Sequence, residues 1–420
     1  MLNRFRPSAG TGHYAQHGAA VIKIGAVSLL GVLSSFGFQI VTARSLGPGD
    51  FGVLSAFFAI VTMASLASSS LQSAIAVETA RALTLGAKPA GAPRIDGFTR
   101  EALILGGAGA ATVIAASPLI ARSLQTEIYV PWLAAIAILL SFVFVRGIGV
   151  LQGSGDSQGA VWWSTIALIV RLVFVALAFA LGLGLMGALT AVLVGLVVAV
   201  IGALLYAGRL NLWISHKPFQ VNGVVVLLMT LLFAWLTNAD VILVRAENSA
   251  TDAGIYAAAA VLAKAVFLVP ATLSLYLLPR FVRQEKDREL TRLGVRVTLA
   301  ITGGGGVLAI LFFATAGRWA TSALLGSAYQ IETGLLVGLA VAYLPWIMAH
   351  GLLIRMNALA SRASVAILAA ASGVLVAAGV VVLPNIAALL CTISLLGVAV
   401  LGSFVLIDHR HWLRVSAESP

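Results

Sequence analysis

The chain has 420 residues, of which 60% are hydrophobic and only 10% charged, with a mean hydropathy of +1.04. An ordinary water-soluble domain carries roughly 25% charged residues, so that class is excluded. The net charge of +11 raises nucleic acid as a partner, but the placement of the basic residues argues for membrane topology instead.

A membrane crossing takes roughly 20 apolar residues. Stretches of about that length occur at 22–43, 51–77, 102–121, 130–150, 161–181, 184–206, 221–244, 254–278, 297–316, 333–354, 363–383 and 386–407. They are continuous and do not alternate, so helices are expected and a β-barrel is not. The expected fold is all-α and integral to the membrane, with twelve transmembrane helices. The links at 182–184 and 384–385 are short enough to make tight hairpins. Residues 78–101 read as a plain charged loop. Residues 280–296, RFVRQEKDRELTRLGVR, space Phe281, Leu290 and Leu293 as a helix on the headgroups would, and suit a solvated basic linker equally well. Residues 1–21 are polar and lead into a full span without a small-residue cleavage site, so no cleavable signal peptide is expected.

If the N-terminus is cytoplasmic, most Lys and Arg of the connecting segments fall on that side. Only Arg44, Arg122, Arg245 and Arg318 fall on the other. This bias puts both termini inside and directs the basic excess toward anionic lipid headgroups and away from nucleic acid.

Two segments of the chain echo one another. RSLGPGDFGVLSA at 44–56 and RAENSATDAGIYAA at 245–258 align Arg44 with Arg245, Asp50 with Asp252 and Gly52 with Gly254. Gly147 and Gly351, Ser157 and Ser361, and Val161 and Val365 keep nearly the same offset. Both echoing segments are read as the first outward-facing loop of a six-span half. Duplication is expected, with a division near residue 210, giving halves at 1–210 and 211–420 around a central cavity. Six is an even number, so the two halves enter the membrane in the same sense.

Charges inside the spans are few. One at mid-bilayer costs at least ~2.5–3.5 kcal/mol and normally faces a cavity or a partner. Arg171 and Lys264 each lie near mid-membrane and are read as cavity residues. Lys23 and Arg146 lie close to span ends and can snorkel. Together the four cations would suit an anionic substrate such as a pyrophosphate, which Arg grips in bidentate fashion and Lys as a point charge. Asp240, with Asn238 nearby, is the clearest intramembrane carboxylate. It is open to two readings: a coupling site that binds a proton or a sodium ion, or a counter-charge for Arg245. Ser65, Ser69, Gln72 and Thr79 make a polar face on span two, and Ser28, Ser35 and Gln39 make one on span one. Such stripes line a wet vestibule or permit close helix packing.

Signals of catalysis are missing. His350 is the sole histidine within a span and Cys391 the sole cysteine, so neither a metal cluster nor a disulfide framework is expected. No GxxxxGK[ST] motif occurs, and no cofactor is expected. The run Gly303 to Gly306 sits inside a span and reads as a bendable or closely packed piece of helix.

ARSLGPGDFGVLSAF at 43–57 resembles the segment between the first two helices of the polysaccharide exporters of the oligosaccharide-lipid flippase superfamily, including the O-antigen and exopolysaccharide repeat-unit flippases. NADVILVRAENSATDAGIYAAAAVLAK at 238–264, followed by Leu278, Pro279 and Arg280, resembles the start of their second half. The matching positions are Arg44, Gly47, Asp50 and Gly52 in the first segment, and Asp240, Asp252, Gly254 and Tyr256 in the second. The resemblance implies a bacterial cytoplasmic-membrane protein with a cationic central cavity. Its expected substrate is an undecaprenyl-pyrophosphate-linked glycan, moved from the inner to the outer leaflet by alternating access. Membrane lipids and a polysaccharide polymerase machinery are the implied partners.

Other readings stay open. A cation-coupled drug antiporter of the same superfamily would favour acidic cavity residues, and a lipid II flippase would usually have two more helices. A membrane polymerase would need a furnished outer loop, and the segments 122–129 and 317–332 are short. A major-facilitator sugar transporter would carry a GxxxDRxGR-like loop, which ETARALTLGAKPAGAPR lacks.

Overall fold

The computed structural model describes residues 10–84, 97–209, 221–267, 288–326 and 328–417. Within them the chain is all-helical. The helices are α1 (Gly10–Thr84), α2 (Gly97–Ala115), α3 (Ser117–Ser123), α4 (Tyr129–Gly153), α5 (Ser157–Ala180), α6 (Gly184–Gly208), α7 (Val221–Glu247), α8 (Ala250–Lys264), α9 (Arg288–Leu325), α10 (Thr333–Ala358), α11 (Arg362–Val382) and α12 (Ile386–Ala417). A 3₁₀ turn at Ala265–Phe267 extends α8. Among the described residues, eleven helical stretches are long and apolar enough to cross a membrane. The chain is a multi-pass membrane protein.

The first of those stretches is 62 residues long and holds two crossings. Its backbone leaves helical geometry at Gly47, with φ 72° and ψ 173°. That region of dihedral space is open to glycine and closed to residues with a Cβ. Pro48 follows at once, and its fixed φ and missing N–H suit the first turn of a new helix. The two arms fold back on each other: the Phe38 and Phe58 rings, on opposite sides of Gly47, meet edge-on with centroids 5.6 Å apart. The segment expected as a loop at 44–50 is therefore a one-residue hinge between two helical arms.

Short polar residues start several helices. Asp156 accepts from the Gly159 N–H at 2.8 Å, Ser249 from the Asp252 N–H at 3.1 Å, and Asn385 from the Ala388 N–H at 3.1 Å. Each satisfies a donor that the first helical turn leaves open. The links at 182–184 and 384–385 are tight, as their length requires.

Two connections differ from the sequence reading. The loop expected over 78–101 is narrowed by helix from both sides, since α1 runs to Thr84 and α2 begins at Gly97. In the segment 280–296, Arg288 onward continues without a break into α9, and 280–287 lie outside the described residues. Mixed charge at helical spacing serves as well for the exposed end of a long helix as for a separate one on the surface. Of the span expected at 254–278, residues 268–278 lie outside the described set, as do Leu278, Pro279 and Arg280.

Packing places α1 at the centre. Its arms lie against α4 and α5 on one side and against α7 and α8 on the other. Around it, α2, α4, α5 and α6 pack among themselves, and α7 to α12 do likewise. Trp346 of α10, wholly buried, ties α10 to α12 through its indole N–H, 2.9 Å from the Ile393 carbonyl. In α9, Gly306 packs closely against the Leu344 side chain of α10.

Candidate functional site: a cavity between the first helix and the middle of the chain

A cavity of about 270 Å³ opens between the arms of α1 and the pair α7 and α8. Ser35, Phe36 and Gln39 face it from the first arm, and Ser55, Phe58, Ala59 and Thr62 from the second. Asn238 and Val241 come from α7. Ala257, Ala260, Val261 and Lys264 come from α8, with Ala265 just beyond. Small residues recur along α8, with Ala253, Gly254, Ala257 to Ala260 and Ala263, so the helix can approach α1 closely.

Lys264 sits in the cavity wall. Its Nζ donates to Asp240 Oδ1 at 2.7 Å and lies 4.6 Å from the centre of the Tyr343 ring. Tyr256 donates its hydroxyl to the other Asp240 oxygen at 2.8 Å. Asp240, Tyr256 and Tyr343 have no exposed surface. The carboxylate is thus held by a cation and a phenol, and the ammonium by a carboxylate and a π-face, as burial of charge demands.

Arg171 lies one residue behind the wall. It donates to Ser35 Oγ at 3.0 Å, and its guanidinium sits 4.5 Å from the Phe38 ring centre and 5.3 Å from that of Phe58. Ser35 and Phe58 are themselves cavity residues. Two polar groups remain without a hydrogen-bond partner here: the buried Arg171 Nε and the Ser55 hydroxyl, the latter in the cavity wall. A buried polar group in that state is short by the worth of a hydrogen bond, which an incoming ligand or water can make good.

The four cations read from the sequence do not share one place. Lys264 lines the cavity and Arg171 abuts it. Arg146 is half-buried on α4 and Lys23 is exposed at the start of the first crossing, and neither lines this cavity. Gln39 does line it. The polar face of the second arm turns elsewhere. Gln72 donates to Gln152 of α4 at 3.1 Å, Ser65 donates to Ser141 of α4 at 3.5 Å, and Ser69 bonds the Leu66 carbonyl of its own helix. Asp240 pairs with Lys264, while Arg245 spends its donors on backbone carbonyls.

The two echoing segments meet. Gly52 and Gly254 face each other so closely that a Cβ on Gly52 would lie 3.2 Å from the Gly254 Cα, and one on Gly254 would overlap the Pro48 carbonyl. Arg44 and Arg245 both lie at this end of the cavity, as do Gly47, Asp50 and Asp252. Asp50 is exposed and Asp252 bonds the Ser249 hydroxyl at 2.6 Å. Ser55, Thr62, Tyr343 and the Phe38–Phe58 pair were not singled out by sequence. Ser55 was the accessible one, because it falls within the very segment that carries the echo.

No protein-family profile matches the chain, and no curated protein matches it in sequence. Solved structures do match it in shape. One is an inward-facing multidrug resistance MATE family transporter of the MOP superfamily, 14% identical, covering 95% of this chain and 99% of that one, with a TM-score of 0.65. A second is an outward-facing MATE family transporter of the same superfamily, at 16% identity, 95% and 97% coverage and 0.59. A third is the lipid II flippase MurJ in an inward closed conformation, at 12% identity, 93% and 87% coverage and 0.66. The fold is the one these structures share. The match extends over nearly the whole chain, and identities this low carry the fold alone.

Proposed function

We propose that this protein is a membrane transporter that moves an anionic polyprenyl-pyrophosphate-linked oligosaccharide from the inner to the outer leaflet. The two halves, divided near residue 210, rock about the cavity between them in alternating access. The observation that carries this reading is the cavity itself: both sides of the chain build it, Lys264 lines it, and Arg171 stands one side chain away. Cations held this deep cost several kcal/mol and belong to a polar pathway. A diphosphate entering the cavity competes with Asp240 for Lys264 and meets Arg171 and the unsatisfied Ser55 hydroxyl. The polyprenyl tail stays in lipid, so only the headgroup needs a protein path. No covalent step is required. Asp240, released from Lys264, is the group that takes up a coupling proton or cation. The charge bias of the connecting segments supports both termini inside, and the sequence resemblance supports a bacterial cytoplasmic membrane location with glycan-polymerising machinery as the partner downstream.

A second reading is a cation-coupled small-molecule antiporter. The wholly buried Asp240 carboxylate, held by Tyr256 and Lys264, favours it, because a positively charged drug or a proton can replace the ammonium. A lipid II-type flippase is a third, with the same headgroup chemistry as the first.

Deleting the gene and assaying lipid-linked oligosaccharides by leaflet separates these readings. Build-up of repeat-unit intermediates on the inner leaflet supports the first reading, of lipid II the third, and raised drug retention the second. The Arg171→Ala, Lys264→Ala double variant, present in the membrane at normal abundance, is expected to fail in complementation. Full export by that variant would refute the cationic-cavity reading.

A further inference from the structure

Arg44 and Arg245 do the same thing in opposite directions. Arg44 closes the first arm of α1. Its Nε donates to the Leu324 carbonyl at 3.0 Å and its Nη2 to the Ala323 carbonyl, both in the last turn of α9. Arg245 stands in the last turn of α7. Its Nε donates to the Leu124 carbonyl at 3.0 Å, where Leu124 caps the end of α3. Its Nη1 also reaches the carbonyls of Ala250 at 3.1 Å and Gly49 at 3.4 Å. Each arginine thus ends the first crossing of its own half and binds the end of the third crossing of the other. The acceptors are related as the donors are: Arg245 follows Arg44 by 201 positions and Leu324 follows Leu124 by 200. A left-handed residue ends both helices, Gln125 at φ 47° after Leu124 and Gly326 at φ 89° after Leu325. Tyr329 adds a parallel tie, its hydroxyl donating to the Ala43 carbonyl at 2.9 Å.

The last carbonyls of a helix lack intrahelical donors and carry the negative end of its dipole, so a guanidinium there is favoured twice over. Both contacts join a residue before 210 to one after 220. Separation of the halves at this end breaks them together, along with the Gly52–Gly254 contact between them. We propose that Arg44 and Arg245 are a paired latch that holds this end of the transporter closed, and that opening here requires both to release their helix ends. Backbone carbonyls suit such a latch, because arginine and carbonyl are both well hydrated once apart. The two are unequal. Arg245 is 3% exposed and Arg44 is open to solvent, so the buried one carries more of the closure.

The inference rests on the alternating-access reading but not on the identity of the cargo, and its test measures access alone. In a Cys391→Ser background, Gln39→Cys places a thiol in the cavity wall. A membrane-impermeant maleimide is applied to intact cells and to inverted vesicles. Arg245→Ala is expected to raise labelling about tenfold, the weight of one hydrogen bond to a charged group, Arg44→Ala to raise it less, and the double variant most, in each case from one membrane face only. A Cβ built on Gly49 lies 4.0 Å from that of Ala250, within reach of a disulfide. Oxidised Gly49→Cys/Ala250→Cys is therefore expected to restore protection in the double variant. Unchanged labelling in the double variant overturns the latch. So does labelling that oxidation fails to suppress, since exposure would then come from lost packing. Neither result depends on which lipid-linked glycan, if any, the cell accumulates.

Discussion

Lys264 Nζ lies 2.7 Å from Asp240 Oδ1, and the carboxylate it meets has no exposed surface. One partner therefore cannot be removed without stranding the other. Asp240→Ala is expected to lower stability by about 3–5 kcal/mol, the usual cost of an uncompensated buried charge. Asp240→Leu combined with Lys264→Met is expected to recover most of that loss. Thermal unfolding in detergent of the single and double variants checks both, and a double variant no more stable than Asp240→Ala would show the two residues to be uncoupled.

Arg171 rests between Phe38 and Phe58. Arg171→Lys keeps the charge and loses the flat guanidinium that stacks on the rings. A loss of about 1 kcal/mol is expected. Phe58→Leu added to Arg171→Lys is expected to cost less than Phe58→Leu alone, because the contact is already gone. A double-mutant cycle on melting temperature measures the difference.

Gly47 and Gly254 are intolerant for different reasons. At Gly47 any Cβ meets a disallowed backbone conformation, so Gly47→Ala is expected to cost about 1–3 kcal/mol in strain. At Gly254 the new methyl runs into the Pro48 carbonyl, and Gly254→Ala is expected to cost about 1–3 kcal/mol as overpacking. The two separate on the maleimide assay of the cavity. Gly254→Ala wedges the closed end apart and raises labelling, and Gly47→Ala does not.

Gln72 bonds Gln152 across the α1–α4 contact. Replacement by leucine is expected to cost about 0.6 kcal/mol, the average worth of a polar contact between membrane helices. Transport by Gln72→Leu should stay normal. A loss of transport with unchanged stability would return this face to the substrate pathway.

Much of the fold was legible because lipid imposes a simple rule on length and polarity. The apolar runs, the short links and the isolated charges of Arg171 and Lys264 all follow from it. Partner choice was not legible. Asp240 and Lys264 sit on consecutive spans, and whether they meet depends on how each helix is rotated, which hydropathy does not record. Nor does it record that Phe38 and Phe58 close around Arg171. The hinge was misread for a definite reason. Gly47, Pro48 and Gly49 look like loop punctuation, but only Gly47 leaves helical geometry, and Pro48 begins the next arm. The echo between the two segments was longer than first visible. Leu124 with Leu324 and Tyr129 with Tyr329 extend it, a signal too sparse to separate from chance until the arginines showed where to look.

Between the α1 hairpin and α8 the contact surface is made largely of methyl groups and bare backbone: Ala253, Gly254, Ala257 and Ala260 on one side, Gly52, Ala56 and Ala59 on the other. Large side chains would interlock there and have to change rotamer before one helix could travel past its neighbour. Methyls present almost no teeth, so relative displacement trades contact area smoothly and meets few steric steps. In the alternating-access cycle proposed above, such a seam would serve as a slip plane whose release the hydrogen bonds at its rim would time.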